Sequence, residues 1–209
     1  FGPVSLVAQV QGKGFDMQTA QLQIMTDVSQ AYFNQYNFQR LSLNGNYGQQ
    51  QFEGSVRMRD ENLRFDLDGL ANLAKGKETF QFELDLMGID FQALKFVEDD
   101  LRVACKVKAD ISGMNPEQIN GTLNLHDLSI VQNNKSYALE SLALETKNAP
   151  GKSELNLRSA LIDLSYDGNI SPVLLPEILT PFISKYLSNE QQLVNNKEDA
   201  AFDFTLNIH

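Results

Sequence analysis

Cysteine occurs once, at Cys105, so the chain holds no internal disulfide and no cysteine-built metal cluster. That thiol falls on the apolar phase of a strand pattern, where a buried, inert cysteine is expected. Histidine is almost as scarce. His126 and His209 are far apart, neither has a ligand-spaced partner, and His126 lies on a polar phase that keeps it in water. Basic residues are the minority, 17 Lys and Arg against 27 Asp and Glu, for a net charge of −10. Such a chain lacks the basic stripe that neutralises phosphates, which excludes nucleic acid, and it is not drawn to anionic head groups. Any contact with lipid must therefore run through acyl chains. No apolar run approaches the ~20 residues that a membrane-spanning helix needs. Gly12-Lys13-Gly14 is too short to cradle a phosphate and no helical pattern follows it, so it reads as a turn. No nucleophile has a base in a recognisable spacing, and the reading is non-enzymatic, without cofactor or metal. The chain opens Phe-Gly-Pro, with neither an initiator Met nor a charged-then-apolar leader, and so reads as a fragment of something longer.

What the chain has in abundance is alternation. Its 209 residues are 42% hydrophobic, enough to bury a substantial core. Val4-Leu6-Ala8-Val10, Phe52-Gly54-Val56-Met58, Leu63-Phe65-Leu67-Gly69, Phe80-Phe82-Leu84-Leu86 and Val103-Cys105-Val107-Ala109-Ile111 each place apolar residues on every second position. The same holds for Leu155-Leu157, Ile162-Leu164-Tyr166 and Phe202-Phe204-Leu206-Ile208. The positions between are polar, as in antiparallel strands with one dry and one wet face. About twelve strands are expected, joined by turns such as Asn44-Gly45-Asn46 and Gly48-Gln49.

The alternation repeats. At an offset of 101, Ala8, Val10, Gly12, Leu22 and Ile24 match Ala109, Ile111, Gly113, Leu123 and Leu125. Tyr36, Phe38, Leu41 and Leu43 match Tyr137, Leu139, Leu142 and Leu144; after a two-residue slip, Val56 to Gly69 match Leu155 to Gly168. A period of about 100 residues points to stacked units rather than to a compact enzyme. Residues 1–102 form the first unit and 103–209 the second, in one continuous domain. Both copies change apolar phase at the same place, between Phe38 and Leu41 and between Leu139 and Leu142, which a β-bulge would explain. They differ after Gly168, where the second copy takes a detour at 171–199. Ser171-Pro172 and Thr180-Pro181 pair an N-cap with a first-turn proline, so two short helices are expected there. A further helical turn is expected over Phe91–Phe96.

Among polar residues, Asp66 and Asp68 read as a strand end rather than a metal pair. Arg57, Arg59 and Arg64, interleaved with Glu53, Asp60, Glu61 and Asp66, read as cross-strand ion pairs rather than an anion site. The remaining candidate is the apolar face itself. Its expected lining is Leu6, Ala8, Val10, Leu22, Ile24, Leu41, Leu43, Val56, Met58 and Phe65 with Leu67, Phe82, Leu84, Val107, Ala109, Ile111, Leu123, Leu125, Leu142 and Leu144. Leu175, Ile178, Leu179, Phe182 and Ile183 of the helical insertion would cap it. The fold class expected is all-β: a long, curved antiparallel sheet built from the repeat, with an apolar groove and a short helical insertion.

Several segments carry a family texture: Leu41-Ser-Leu-Asn-Gly-Asn-Tyr47 with Phe52-Glu-Gly-Ser-Val-Arg-Met58 and Leu63-Arg-Phe-Asp-Leu-Asp-Gly69, and Ala109-Asp-Ile-Ser-Gly113 with Ile119-Asn-Gly-Thr-Leu-Asn-Leu-His-Asp-Leu-Ser-Ile130. With Phe202-Asp-Phe-Thr-Leu-Asn-Ile208, they resemble the AsmA-like/TamB superfamily of Gram-negative envelope proteins in its Bacteroidetes-type form. The resemblance covers nearly the whole chain as a pattern of repeats, although the C-terminal domain that defines TamB is not recognisable. It implies a long periplasmic protein, held to the inner membrane by an anchor outside this segment. Its sheet would fold into a taco-like groove carrying phospholipid or another acyl-chain lipid between membranes. It also implies support for outer-membrane protein assembly with an Omp85-type barrel partner. The rival reading is a structural or adhesive β-repeat of the bacterial surface with a closed core.

Overall fold

The computed structural model describes residues 2–14, 16–115, 119–169, 171 and 201–209. Twelve strands follow one another: β1 (Val4–Lys13), β2 (Gln21–Phe33), β3 (Tyr36–Gly48), β4 (Gln51–Arg59), β5 (Leu63–Asn72) and β6 (Thr79–Asp90), then β7 (Leu101–Ser112), β8 (Asn120–Gln132), β9 (Lys135–Ala149), β10 (Lys152–Ser159), β11 (Ile162–Gly168) and β12 (Phe202–Ile208). Every strand pairs antiparallel with its neighbours in sequence, giving one 12-stranded sheet in chain order. β1 and β12 are not paired to each other, so the sheet is open. Among the described residues there is no helix, and the expected helical insertion at 171–199 lies outside them except for Ser171. The expected unit boundary at 102/103 falls inside β7, whose ladder with β6 crosses it without a break.

Turn chemistry explains the meander. Asn34-Gln35, Gln49-Gln50 and Asn133-Asn134 are two-residue connections with both φ angles positive, between 48° and 64°. That is the type I′ geometry whose twist matches that of the flanking strands. The expected turn at Asn44-Gly45-Asn46 is not one. These residues lie inside β3, where Gly45 pairs with Ile24 on one side and Gly54 on the other. Gly12 and Lys13 likewise belong to β1, and only Gly14, with φ 83°, starts the turn.

The phase changes in β3 and β9 are real, but no extra residue is bulged out of these hairpins. Val28 pairs with Leu41 and Gln30 with Gln39, so Ser29 and Arg40 face each other across a break in an unchanged register. His126–Ser141 and Leu128–Leu139 bracket Asp127 and Glu140 in the same way. Arg40 and Asp127 take φ 55° and 54°, the left-handed turn that switches faces on both strands together. Register shifts occur at the same end of the sheet in four neighbouring pairs: β1–β2 at Ser5/Leu6, β5–β6 at Arg64/Phe65, β6–β7 at Leu86/Ile89 and β7–β8 at Ala104/Lys106. Irregularities therefore recur at one level in β1–β3 and in β5–β9 but not in the ladders of β4 with its two neighbours, and bulges bend strands and increase twist.

The core is thin. Among the described residues, Ala20, Met58, Leu94, Ala109 and Tyr166 are the buried hydrophobic ones, while Val4, Leu6, Val10, Leu206 and Ile208 are among those well exposed.

Candidate functional site

Directly opposed residues of antiparallel strands point to the same face, as do residues two apart along a strand. The register thus defines rows that run across the sheet. One passes through Val10, Ile24, Gly45, Gly54, Gly69, Phe82, Ala109, Leu123, Leu144, Leu157, Leu164 and Leu206 without a single polar side chain. Two residues along, Ala8, Thr26, Leu43, Val56, Leu67, Leu84, Val107, Leu125 and Leu142 form a second row on the same side. Leu6, Val28, Leu41, Met58, Phe65, Leu86 and Cys105 form a third. Gly12, Leu22, Tyr47, Phe52, Ala71, Phe80 and Ile111 begin a fourth. All twenty residues named from the sequence lie in these rows, on one face. Leu6, Ala8 and Val10 are exposed, Met58 and Ala109 buried, and the other fifteen half-buried. Leu175, Ile178, Leu179, Phe182 and Ile183 lie outside the described residues.

Three consecutive glycines flatten the middle of this face. Gly45, Gly54 and Gly69 are cross-strand partners, and the ring of Phe52 lies over Gly45 and Gly54. A Cβ on Gly54 would sit 2.7 Å from the Asn44 carbonyl oxygen and 2.9 Å from the Gly45 Cα, so the close approach there is backbone to backbone. Cys105 shares the face. Burial, followed by the nearby Asp85 carboxylate, pushes its thiol above the ordinary range, which suits an unreactive side chain.

One end of the face is stopped. Between β6 and β7 the chain makes a turn over Phe91–Val97, where Leu94 N donates to Asp90 O at 3.1 Å and Phe96 N to Phe91 O at 2.9 Å. The Asp90 side chain caps it by accepting from Ala93 N at 2.8 Å. This is a hydrogen-bonded turn rather than a helix. It carries Leu94, which is completely buried. β3 and β6 are three interstrand steps apart, about 14 Å. Yet Asn34 Nδ2, at the β2–β3 tip, donates to Lys95 O at 2.7 Å and Leu94 O at 3.3 Å, and the Phe33 and Phe96 rings lie 6.4 Å apart. The turn therefore reaches back past the ends of β4 and β5. Beside it, the buried Asp60 carboxylate accepts from Tyr36 Oη at 2.6 Å, Gln39 N at 2.9 Å and Asn62 N at 2.9 Å. Burial first, and then this bond to Asp60, raises the Tyr36 phenol above its ordinary value.

The opposite face is charged and paired. Arg57 meets Asp68 at 2.7 Å and Asp66 at 3.2 Å, Arg59 meets Asp66 at 2.5 Å, and Lys108 meets Glu83 at 2.6 Å. Asp66 and Asp68 are thus held by arginines, and no group of three or more His, Cys, Asp or Glu among the described residues is placed to hold a metal. Asp60 does not join these pairs as expected; its position between two strand ends turns it inward. His126 is exposed, opposite Lys106 and Ser141. A recess of about 690 Å³ opens on this charged face, lined by Asn44, Asn46, Glu53, Asp68, Glu83 and Lys108 among others. A twisted sheet offers a concave diagonal on each face.

Together these features define an open, amphipathic all-β sheet with one continuous apolar face. No family model, curated protein or solved structure matches the chain.

Proposed function

We propose that this chain is a non-enzymatic segment of a periplasmic AsmA-like/TamB-type envelope protein, and that its apolar face carries the acyl chains of phospholipid or a similar lipid between membranes. The observation behind this reading is the row running from Val10 to Leu206 across all twelve strands with no polar side chain. Eleven interstrand steps of about 4.8 Å make a path of about 53 Å. Four rows give it a width of about 20 Å over β1–β7, where all four run side by side. Each methylene laid on it gains about 0.8 kcal/mol, the same at every step. Uniform rows hold a chain without a deep local minimum, which suits sliding better than storage. The charged face stays in water, and the head group would stay at the rim of the groove. On this reading the inner-membrane anchor lies outside the segment and the Omp85-type barrel is a partner of the longer protein.

The test is extraction of the purified chain with organic solvent, followed by lipid mass spectrometry. Co-purified phospholipid is expected, lost when Leu67, Leu84 and Val107 are replaced together by Asp in a variant that keeps its β-type circular dichroism. A lipid-free wild-type chain that also takes none from vesicles would refute the proposal.

A further inference from the structure

The recess on the charged face is built from two adjacent rows of the sheet. Asn46, Glu53, Leu70, Gln81 and Asp110 are successive cross-strand partners from β3 to β7. Two residues along, Asn44, Ser55, Asp68, Glu83 and Lys108 form the second row on the same five strands. All ten line the recess. Four interstrand steps make it about 19 Å long. Its volume of about 690 Å³ falls in the range of small-molecule sites.

The two sides of the recess differ. On β6 and β7 the polar groups satisfy one another: Lys108 meets Glu83 at 2.6 Å, and Gln81 Nε2 donates to Asp110 at 3.1 Å. On β5, Asp68 is held by Arg57 at 2.7 Å. On β3 and β4, among the described residues, the side chains of Asn44, Asn46, Glu53 and Ser55 have no hydrogen bond or ion pair. They offer two carboxamides, a hydroxyl and a free carboxylate to whatever enters. Leu70 stands at the middle of its row, 37% exposed, between Glu53 and Gln81. It is the one aliphatic side chain among these ten positions. A single exposed leucine on a wet face means little by itself. Here it lies in a concavity with hydrogen-bonding groups on both sides, the combination that fixes a ligand's place and orientation.

We infer that this recess binds a neutral glycan, with one sugar ring lying on Leu70. A pyranose has a face of C–H groups and a rim of hydroxyls that both donate and accept. Leu70 fits the face, and the Asn44, Asn46 and Ser55 side chains fit the rim. The Glu53 carboxylate accepts from hydroxyls through either oxygen, and a charged acceptor makes the stronger bond. Charge selects against the other ligand classes. Glu53, Asp68, Glu83 and Asp110 repel acidic sugars and phosphates. A cation gains little, because Asp68, Glu83 and Asp110 already face a basic or amide donor. The inference does not rest on the lipid reading, which concerns the opposite face.

Titration calorimetry of the whole chain with tetra-N-acetylchitotetraose, cellotetraose and maltotetraose tests this, with tetragalacturonate and spermine as charged controls. At least one neutral tetrasaccharide is expected to bind, and neither charged probe. Leu70→Asn should weaken that binding at least tenfold. Asn46→Ala combined with Glu53→Gln, both at exposed positions, should do the same and gives a second route if the Leu70 change perturbs folding. Circular dichroism checks each variant. Phospholipid retention should be the same in all of them, so loss of glycan binding and loss of lipid are read separately. A folded wild type that binds none of the three tetrasaccharides overturns the inference. So does binding that both variants leave unchanged, or tighter binding of spermine or tetragalacturonate than of any neutral glycan.

Discussion

The side-chain amide of Asn34 donates to the main-chain oxygen of Lys95 at 2.7 Å, tying the tip of the β2–β3 hairpin to the turn after β6. Sixty-one residues separate the two, and β4 and β5 lie between them in the sheet. This contact, with Leu94 beneath it, is what stops the apolar face at one end. Asn34→Ala should lower stability by about 1 kcal/mol, for the lost hydrogen bonds. Leu94→Ala should cost about 2–4 kcal/mol, as a fully buried leucine. Urea denaturation reads both, and the double variant should fall short of the sum, because the two changes open one local structure.

The glycine row gives a second prediction. Gly54→Ala presses a methyl group onto the backbone of β3, so the strands must shift, at a cost of about 1–3 kcal/mol. Gly45→Ala meets chiefly the far end of the Phe52 ring, which can rotate, and should cost less. Pairing each with Phe52→Ala separates them. The ring deletion should offset the Gly45 change and leave the Gly54 change largely in place, as read by thermal unfolding.

Asp60 makes a third. Removing its carboxylate in Asp60→Ala leaves three donors without their acceptor, which should cost about 2–3 kcal/mol. In Asp60→Asn the Tyr36 phenol should titrate lower than in wild type, because the second-largest cause of its upward shift is removed while burial remains, followed by its ultraviolet absorbance. The sign for stability follows. A phenol raised in the folded state leaves stability intact below its unfolded value near 10 and removes it as pH climbs through the folded value.

Cys105 supplies a native reporter on the apolar face. Its raised, half-buried thiol should react with iodoacetamide far more slowly in the folded chain than in urea at the same pH. If acyl chains occupy the face, loading with phospholipid should slow the folded reaction further, by tenfold or more. Equal rates with and without lipid would mean that nothing covers that row.

Period-2 alternation made the strands and the two faces legible, because a half-buried sheet writes its geometry directly into residue type. Partnership was not. Asn44-Gly45-Asn46 has the composition of a turn, and only the facing Gly54 and the overlying Phe52 make it the middle of a strand. Asp60 has the composition of a wet loop, yet the Tyr36 hydroxyl and two backbone amides converge on it from residues up to 24 positions away. The phase changes at Arg40 and Asp127 were visible, but their form was not, since a break shared by both strands of a hairpin leaves the same spacing as a bulge in one. Leu94 lies in a segment read only as one helical turn, and nothing local marks it as the stop at the end of the face.

The most direct test of the proposal that the apolar face carries lipid is site-specific photocrosslinking in a bacterial envelope, or with phospholipid vesicles, along β6 and β7. A photoreactive residue is placed in turn at Glu83, Leu84, Asp85, Leu86, Lys106, Val107 and Lys108. Phospholipid adducts are predicted at Leu84, Leu86 and Val107 and not at Glu83, Asp85, Lys106 or Lys108, following the two-residue period of the sheet. Adducts spread evenly over both faces, or none at the apolar positions of a folded chain, would contradict it.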